Sequence, residues 1–305
     1  MATIILSTSK KDVEITMQGT GRVSINWGDK SELFALSMDN VIQCIHNYGS
    51  NSNLPRTITI TGDSIITLGC SENELTSLKF NECSSLLRLS CYINQLTTLD
   101  VSGCKALETL ACPHNQLNSL NISGCSKLVT LSCHHNQLKD LPLKTTVRTV
   151  SSVLTKSISH TDPDYIPYIP YEKFKRFIEF EPRLNVDDMR VVGNFLPIPN
   201  PRANQGNFPF LQSLYCNENM LTTLDVSGCA ALEHLNCDNN QLKNLTLNGL
   251  QWLEFVSCHH NNLTEVNVNG CCSLEKLHCL SGQTTPLNIT GLTKENSPLM
   301  LYAMQ

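Results

Sequence analysis

The chain has 305 residues, of which 41% are apolar, so it can form one large domain or two to three small ones around a packed core. A formal charge of −5 and a pI of about 6.0 provide no basic surface for nucleic acid or anionic lipid. No segment has the roughly 18 consecutive apolar residues of a membrane helix, and the start MATIILSTSKKD lacks the basic-then-apolar order of an export signal. We therefore expect no nucleic-acid partner, no membrane insertion, and neither an export signal nor an anchor.

Residues 1–62 are predicted to form a small all-β unit. Apolar and polar residues alternate, β-branched side chains are frequent, and Gly, Asn and Asp separate the segments, which is typical of short strands. The predicted strands are 12–19, 22–29, 31–37, 40–49 and 56–63.

This unit also carries a resemblance to a known module. Trp27, Gly28 and Asp29 are followed by HNY at 46–48 and TITITG at 57–62. The set resembles the W-G-D-G, H-x-Y and T-Y-x-V-x-V landmarks of PKD-like, immunoglobulin-type β-sandwich modules, although Lys30 stands where the pattern has its second glycine. The resemblance implies a shortened sandwich. We interpret Trp27 as a core residue and Asp29 as a turn residue, in preference to ligand contacts.

Residues 63–153 and 211–305 contain a 21-residue repeat that is marked by cysteine. Both blocks fit the frame L-x-x-L-x-C-x-x-N-x-L-x-x-L-x-V-x-x-C. The cysteines at its first cysteine position are Cys70, Cys91, Cys112, Cys133, Cys216, Cys237, Cys258 and Cys279. The frame resembles the leucine-rich repeat, and the chain is similar in this respect to internalin-like bacterial surface proteins.

The repeat predicts a leucine-rich-repeat solenoid of the α/β horseshoe class that is mostly β. Leu89 and Cys91 should point inward from a parallel concave sheet, whereas Ser90 and Tyr92 should point outward. Asn94 and its equivalents should satisfy backbone groups at the bend that follows each strand. The rest of each repeat lacks a helical period, so we expect short strands and turns on the convex side. The N-terminal unit would cap the first hydrophobic layer.

The segments SCHHNQL at 132–138 and SCHHNNL at 257–263 combine a thiol with two imidazoles. We interpret their cysteines as core thiols that remain free, because stacked parallel side chains do not present disulfide geometry. Adjacent histidines are expected not to converge, so we predict no metal site and no cofactor. An alternative remains open, since His114 and His135 lie one repeat apart and their side chains could be about 5 Å from each other.

Residues 154–210 interrupt the repeats. Aromatic residues recur every three positions from 165 to 180, beginning with Tyr165, Tyr168 and Tyr171, first in a proline-rich stretch and then on a predicted short helix. In one interpretation this insertion packs its aromatic edge onto the solenoid and replaces missing repeats. In the other, part of the edge stays open as a recognition ledge.

No phosphate-binding loop, dinucleotide fingerprint, nucleophile elbow, zinc-protease motif or C-x-x-C pair is present, so we predict neither catalytic residues nor an enzyme. The leading hypothesis is a recognition protein that binds another protein through the concave face and the insertion. The candidate residues are Tyr92, His134, Tyr215, Asn217, His234, Asn236, Asp238, Phe255, His259, Tyr165, Tyr168 and Tyr171. The alternatives are a glycan-binding module, a structural or adhesive spacer, and a thiol-based redox sensor. The family resemblance implies a bacterial cell surface or secreted location.

Overall fold

The computed structural model describes residues 1–49, 54–141, 143, 208–279 and 287–292. The N-terminal strands are β1 (Ala2–Thr8), β2 (Asp12–Asn26), β3 (Ser31–Leu36), β4 (Ile42–Asn47) and β5 (Arg56–Gly69). The first repeat block contributes β6 (Ser77–Asn81), β7 (Arg88–Ser90), β8 (Thr98–Asp100), β9 (Thr109–Ala111), β10 (Ser119–Asn121) and β11 (Thr130–Ser132). The second contributes β12 (Ser213–Tyr215), β13 (His234–Asn236), β14 (Asn244–Thr246), β15 (Phe255–Ser257), β16 (Glu265–Asn267), β17 (Lys276–His278) and β18 (Asn288–Thr290).

The N-terminal unit is all-β, but its strands differ from the predicted ones. β1 was not predicted as a strand, although its alternating pattern buries Ala2, Ile4 and Leu6. The segments predicted as two strands at 12–19 and 22–29 form the single long strand β2, which changes register on β5 near Gly19. Gly19 is required there, because a Cβ atom at this position would lie 2.0 Å from the carbonyl oxygen of Ser64.

Strand β5 joins the N-terminal unit to the repeats. It pairs antiparallel with β1 and β2 and parallel with β7, and it runs across position 62, where the sequence suggested a boundary. The core of the unit contains Trp27, which is fully buried as predicted and donates its indole N–H to Glu32 at 2.7 Å. Asp29 lies 3.0 Å from the ring of His46. The sheet of the unit therefore continues into the first repeat.

The repeats build a β-solenoid whose inward leucines are in register. A parallel ladder runs through β5, β7, β9, β11, β12, β13, β15 and β17 within a sheet of 13 strands, which we call the main sheet. Its aligned inward residues are Leu68, Leu89, Leu110, Leu131, Leu214, Leu235, Val256 and Leu277. All of them are at most 2% exposed, as are the eight cysteines of the ladder. One repeat cannot bury such a row alone, so stacking supplies the core.

Asparagines hold the bend after six main-sheet strands, β7, β9, β11, β12, β13 and β15, as predicted. The amide of Asn136 donates to the carbonyls of Cys112, Cys133 and His134, and its Oδ1 accepts the N–H of Leu117 at 2.9 Å. The same pattern recurs at Asn94, Asn115, Asn219, Asn240 and Asn261. Each amide thus connects two neighbouring repeats through backbone groups that the turn leaves unpaired.

The main sheet is continuous across the insertion. β11 pairs directly with β12, so Leu131 is aligned with Leu214. The stacked series Asn94, Asn115, Asn136, Asn219, Asn240 and Asn261, which we call the asparagine ladder, also continues. Asn219 donates to the carbonyl of Cys133 and accepts the N–H of Leu138. The 83 residues from Cys133 to Cys216 therefore separate two repeats that are adjacent in this sheet. The two interpretations of how the insertion packs concern residues outside the described ones.

The opposite side of the solenoid consists of short strands and turns, as predicted. β8 and β10 form one small parallel sheet, and β14, β16 and β18 form another. The described residues contain no helix, so this part of the chain is a β-solenoid although the predicted class was α/β. It follows that none of its elements is a helix of the length and apolarity needed to cross a membrane.

Candidate binding face and histidine cluster

The outward side chains of the main sheet form the surface that the sequence predicted to be concave, and we call it the main-sheet face. In the first block it consists of Arg88, Ser90, Tyr92, Thr109, Ala111, Pro113, Thr130, Ser132 and His134. In the second block it consists of Ser213, Tyr215, Asn217, His234, Asn236, Asp238, Phe255, Ser257 and His259. These rows alternate with the buried leucines and cysteines, which places them on the opposite side of each strand.

The first-block part of this face is small and mostly buried. Ser90, Thr109, Ala111 and Ser132 are between 1% and 8% exposed. Tyr92, a predicted ligand contact, is only 1% exposed, and its hydroxyl has no hydrogen-bond partner among the described residues. Rows of adjacent repeats lie about one strand spacing of 4.8 Å apart, so a large side chain in such a row is easily covered. We therefore exclude Tyr92 from the accessible surface.

The second-block part is larger, more polar and more accessible. His234 and Phe255 are paired on neighbouring strands and form one half-buried row with Ser213. Tyr215, also half-buried, lies in the adjacent row with Asn236. The ring of Phe255 meets that of His278 edge-on at a centroid distance of 5.4 Å. His278 is absent from the predicted contact residues, although it lies one 21-residue period after Ser257 and pairs with it.

Asp238 has an internal role on this face. Its carboxylate accepts the hydroxyl of Ser257 at 2.7 and 2.8 Å and the backbone N–H of His259 at 2.6 Å. Its own N–H donates to Oδ1 of Asn236 at 3.0 Å. Asp238 thus organises the surface by connecting two repeats, and both of its carboxylate oxygens already accept hydrogen bonds within the protein.

The two blocks also differ in charge just beside this face. Burial raises the pKa of Glu108 in the first block, while the charges of Arg88 and Lys127 oppose the change. In the second block burial, reinforced by the negative charge of Glu254, raises the pKa of Glu233 to about 7. Among the described residues, no positive charge therefore opposes the rise in the pKa of Glu233 in the way that Arg88 opposes it at Glu108.

Three histidines converge where the first block ends. The rings of His114 and His135 are stacked at a centroid distance of 4.2 Å, and the ring of His134 stands edge-on to them at 5.4 and 5.1 Å. One ligand atom of each histidine lies within 4.8 Å of the others. Nδ1 of His135 also lies 2.6 Å from Oε2 of Glu218 in the next repeat.

The expectation that adjacent histidines do not converge is therefore wrong here. His114 and His135 adopt left-handed backbone with φ of 52° and 50°, and the same conformation recurs in other repeats at Ile93, Glu218, Asn239 and His260. The change of backbone conformation between His134 and His135 accompanies the approach of their rings to 5.1 Å. Residue spacing alone does not reveal the sign of φ.

The electrostatic setting favours neutral imidazoles. Burial, with smaller effects of His135 and His114, lowers the pKa of His134 to about 4. Burial also lowers the pKa of His114. Nδ1 of His134 is buried and has no hydrogen-bond partner among the residues that the structure describes. The cluster thus presents at least one unpaired ring nitrogen at neutral pH.

The cysteines are core residues, with one correction. Cys258 and Cys279 are joined by a disulfide, whereas all ladder cysteines were expected to be free. The other 13 cysteines are free thiols, and only Cys272 among them is exposed. Burial raises the pKa of Cys91 and of Cys133 to about 12, so these thiols stay protonated and unreactive. A redox sensor would need exposed, acidic thiols.

No protein-family model matches the chain, and no curated protein does so either. Among solved structures it is similar to the functional domain of InlJ from Listeria monocytogenes, which includes a cysteine ladder, at 21% identity and a TM-score of 0.33, covering 71% of this chain and 44% of that one. The leucine-rich-repeat protein LIC12759 of Leptospira interrogans matches at 18% identity and a TM-score of 0.37, covering 72% and 47%. The leucine-rich-repeat domain of APL1B matches at 15% identity and a TM-score of 0.35, covering 65% and 58%.

The chain thus spans about half the length of these structures. The assignment as a β-solenoid rests on the strand register and the asparagine ladder, and the similarities assign no ligand. The predicted contacts Tyr165, Tyr168 and Tyr171 and the predicted helix of the insertion lie outside the described residues.

Proposed function

We propose that the chain is a non-catalytic recognition protein that binds another protein through the second-block part of its main-sheet face. The observation that supports this most directly is the half-buried pair of His234 and Phe255 on neighbouring strands, with half-buried Tyr215 in the adjacent row. The corresponding first-block residues Thr109 and Ala111 are smaller and only 8% and 6% exposed. Aromatic side chains on a rigid sheet provide contact area at little cost in conformational entropy, which suits a protein partner.

The chemistry of the face suggests what the partner presents. Glu233 and Glu254 directly precede His234 and Phe255, and burial, reinforced by the negative charge of Glu254, raises the pKa of Glu233 to about 7. A lysine or arginine of a partner would relieve that repulsion and pair with the carboxylates. Phe255 and Tyr215 would pack against an apolar or aromatic side chain. The proposed partner surface is therefore basic with an apolar anchor.

The insertion and the location of the protein belong to the same proposal. Tyr165, Tyr168 and Tyr171 would extend the binding surface as an aromatic ledge, since loops that interrupt a rigid scaffold commonly carry recognition residues. The PKD-like character of the N-terminal unit and a bacterial cell-surface or secreted location are implied by resemblance of sequence motifs. A glycan ligand and a pure spacer role are the competing functions that the following experiment distinguishes.

The experiment is a binding screen against immobilised extracellular proteins and glycans, followed by affinity measurements on each hit. The test variant carries His234→Ala with Phe255→Ala, and a second variant replaces residues 160–206 by a flexible linker. The matched control carries Gln251→Ala with Trp252→Ala, which changes two exposed residues just before β15, away from the face. Circular dichroism and thermal unfolding check that each variant is folded.

We expect a protein ligand whose affinity falls at least tenfold in the face variant and is unchanged in the control. Binding that depends only on residues 160–206 would move the site to the insertion. Hits confined to glycans would replace the protein partner by a sugar. A complete absence of hits, with all variants folded, would favour the spacer role and contradict the proposal.

A further inference from the structure

We propose that His114, His134 and His135 bind one divalent transition-metal ion of the zinc class, with Glu218 holding His135 in position from the next repeat. This inference is independent of the proposed protein binding. It rests on side chains from three consecutive repeats of the stack, which the sequence alone did not bring together. His134 and His135 lie in one repeat, His114 lies in the repeat before it, and Glu218 lies in the repeat after it.

The distances are compatible with such an ion after a small adjustment. The three ligand atoms lie within 4.8 Å of one another, whereas imidazole nitrogens that bind one tetrahedral Zn²⁺ at about 2.0 to 2.1 Å are roughly 3.3 Å apart. The remaining difference requires the rings to tilt about χ2, a torsion with a broad energy minimum in histidine. The stacked pair of His114 and His135 would open as it tilts.

Glu218 sets the tautomer that a metal needs. Its Oε2 lies 2.6 Å from Nδ1 of His135, and a carboxylate can only accept, so the ring donates from Nδ1. In the neutral ring with this tautomer, Nε2 of His135 is the nitrogen that carries the lone pair. A carboxylate behind a metal-binding histidine also raises the basicity of the ring and fixes its orientation. Both effects favour coordination through Nε2.

The neighbouring imidazoles are also poised to coordinate. Nδ1 of His134 is buried without a hydrogen-bond partner among the described residues, and a metal bond would satisfy a ring nitrogen at this position. A neutral imidazole can bind the ion through its unprotonated nitrogen.

The backbone that carries these rings is fixed by the architecture. Asn115 and Asn136 hold the turns on which His114 and His135 sit, through amide bonds to three carbonyls each. Ligands on such a rigid scaffold lose little entropy when the ion binds. Three imidazoles suit Zn²⁺, Cu²⁺, Ni²⁺ or Co²⁺, whereas Ca²⁺ and Mg²⁺ prefer oxygen ligands. The fourth position of the ion would hold water.

The second SCHHN segment provides an internal control. His259 and His260 follow Asp238 and Asn239, so that the histidine corresponding to His114 is replaced by an asparagine. The rings of His259 and His260 are 6.4 Å apart, compared with 5.1 Å for His134 and His135. Within the part of the chain that the structure describes, the first-block cluster is the only group of three potential ligand residues whose ligand atoms lie within 4.8 Å of one another.

The test is a titration of the full chain with ZnCl₂ by calorimetry, using protein purified without a histidine tag and stripped with a chelator. The test variants are His114→Asn and His135→Asn, because Asn239 already occupies the equivalent left-handed position in another repeat and shows that the backbone accepts this residue. The matched control is His260→Asn, at the same position of the second block. Glu218→Gln tests the orienting carboxylate.

We expect one equivalent of Zn²⁺ to bind the wild type, with an affinity at least 100-fold lower in either test variant and unchanged in His260→Asn. Glu218→Gln should weaken binding 10- to 100-fold, the usual effect of removing a carboxylate behind a histidine ligand. Substoichiometric binding by the wild type would overturn the proposal. An equal loss in His260→Asn would do so as well, because it would indicate adventitious surface histidines.

A second measurement keeps the proposal testable if a variant fails to fold. Titration of the wild type with CoCl₂ should produce the intense visible absorption of tetrahedral Co²⁺ with one equivalent. The weak spectrum of hexaaquo Co²⁺ throughout the titration would contradict a site made of three imidazoles. Zn²⁺ should also raise the Tm of the wild type and not that of His135→Asn.

Discussion

The two SCHHN segments share one backbone and have different chemistry. Asn136 and Asn261 make the same set of hydrogen bonds, and His135 and His260 both have φ of 50°. Around the first segment, the stack supplies His114 before and Glu218 after, which creates a histidine cluster. The repeat therefore determines the backbone, whereas the neighbouring repeats determine what each surface residue can do.

Around the second segment the acidic residue is on a different row. Asp238 comes one repeat before His259 and accepts from its backbone N–H and from the hydroxyl of Ser257. The carboxylate here fixes the surface and leaves the imidazoles to other contacts, such as the approach of His259 to His278 at 5.7 Å. Asp238 occupies the repeat position immediately before the one that Glu218 occupies. This shift by one position places Glu218 beside the candidate metal site and Asp238 within the candidate binding face.

The largest effect is expected from the asparagine ladder, where the two segments should behave alike. Asn136→Ala removes one hydrogen-bond acceptor and leaves three buried carbonyls without this donor. We therefore expect the free energy of unfolding to fall by about 3 to 5 kcal/mol. Asn261→Ala should cost the same within about 1 kcal/mol, since its bonds are equivalent. Urea unfolding followed by circular dichroism measures both. Costs below 1 kcal/mol would contradict a structural role of the ladder.

The next effect distinguishes the blocks, because only the second contains a disulfide. Reduction of Cys258–Cys279 opens a loop between two cysteines that are 21 residues apart. Because the unfolded chain then gains conformational entropy, the free energy of unfolding should fall by about 3 kcal/mol. The double variant Cys258→Ser with Cys279→Ala would disturb the core as well, so reduction is the cleaner change.

Thiol counting checks the disulfide directly. Alkylation of the denatured, unreduced protein should modify 13 cysteines by mass spectrometry, and all 15 after reduction. Modification of all 15 without reductant would show that the ladder is free throughout, as the sequence suggested. The unreduced and reduced proteins should then have the same Tm.

The framework of the fold was readable from the sequence because its period is strict. Cysteines and asparagines that recur every 21 residues predict the inward rows and the bends, and both are confirmed. β1 was missed because its apolar run was considered only as an export signal. The continuity of the main sheet was missed because a gap of 83 residues is nearly four periods and suggested lost repeats.

The candidate site was less predictable, because it depends on contacts between repeats. The burial of Tyr92 and the convergence of His134 with His135 both follow from three-dimensional packing and from the sign of φ at one residue. The approach of Glu218 to His135 joins residues on opposite sides of the insertion. Only a register across that insertion, which the sequence did not supply, could have brought them together.

A smaller effect is expected at two equivalent positions of the main-sheet face. The hydroxyl of Ser257 donates to both carboxylate oxygens of Asp238, so Ser257→Ala should destabilise the protein by about 1.5 kcal/mol. The hydroxyl of Ser90 bonds only to that of Ser71, and Ser90→Ala should cost about 0.5 kcal/mol. Thermal unfolding of the two variants under identical conditions measures the difference. Equal Tm values would show that Asp238 does not organise the second-block face.

The smallest effect concerns the acidic residues beside the face. The pKa of Glu233 is raised to about 7, so the folded state retains a proton that the unfolded state releases above about pH 4.5. This contribution to stability is full below pH 4.5 and is lost as the pH rises through 7. Glu233→Gln should remove that pH dependence and stabilise the protein at pH 8 by less than about 1 kcal/mol, since Glu233 is partly exposed to solvent.

Glu108→Gln is the matched change in the first block, and it should act in the same direction with a smaller effect. Burial also raises the pKa of Glu108, but the charges of Arg88 and Lys127 oppose the change, so ionisation of Glu108 costs the folded state less than ionisation of Glu233. Urea unfolding between pH 4.5 and 8 compares the two variants with the wild type. A larger stabilisation at pH 8 by Glu233→Gln than by Glu108→Gln would support an acidic surface that is left unneutralised for a basic partner, because a stack optimised only for stability would compensate both carboxylates. Equal effects would remove that argument and leave His234, Phe255 and Tyr215 as the sole support for the binding face.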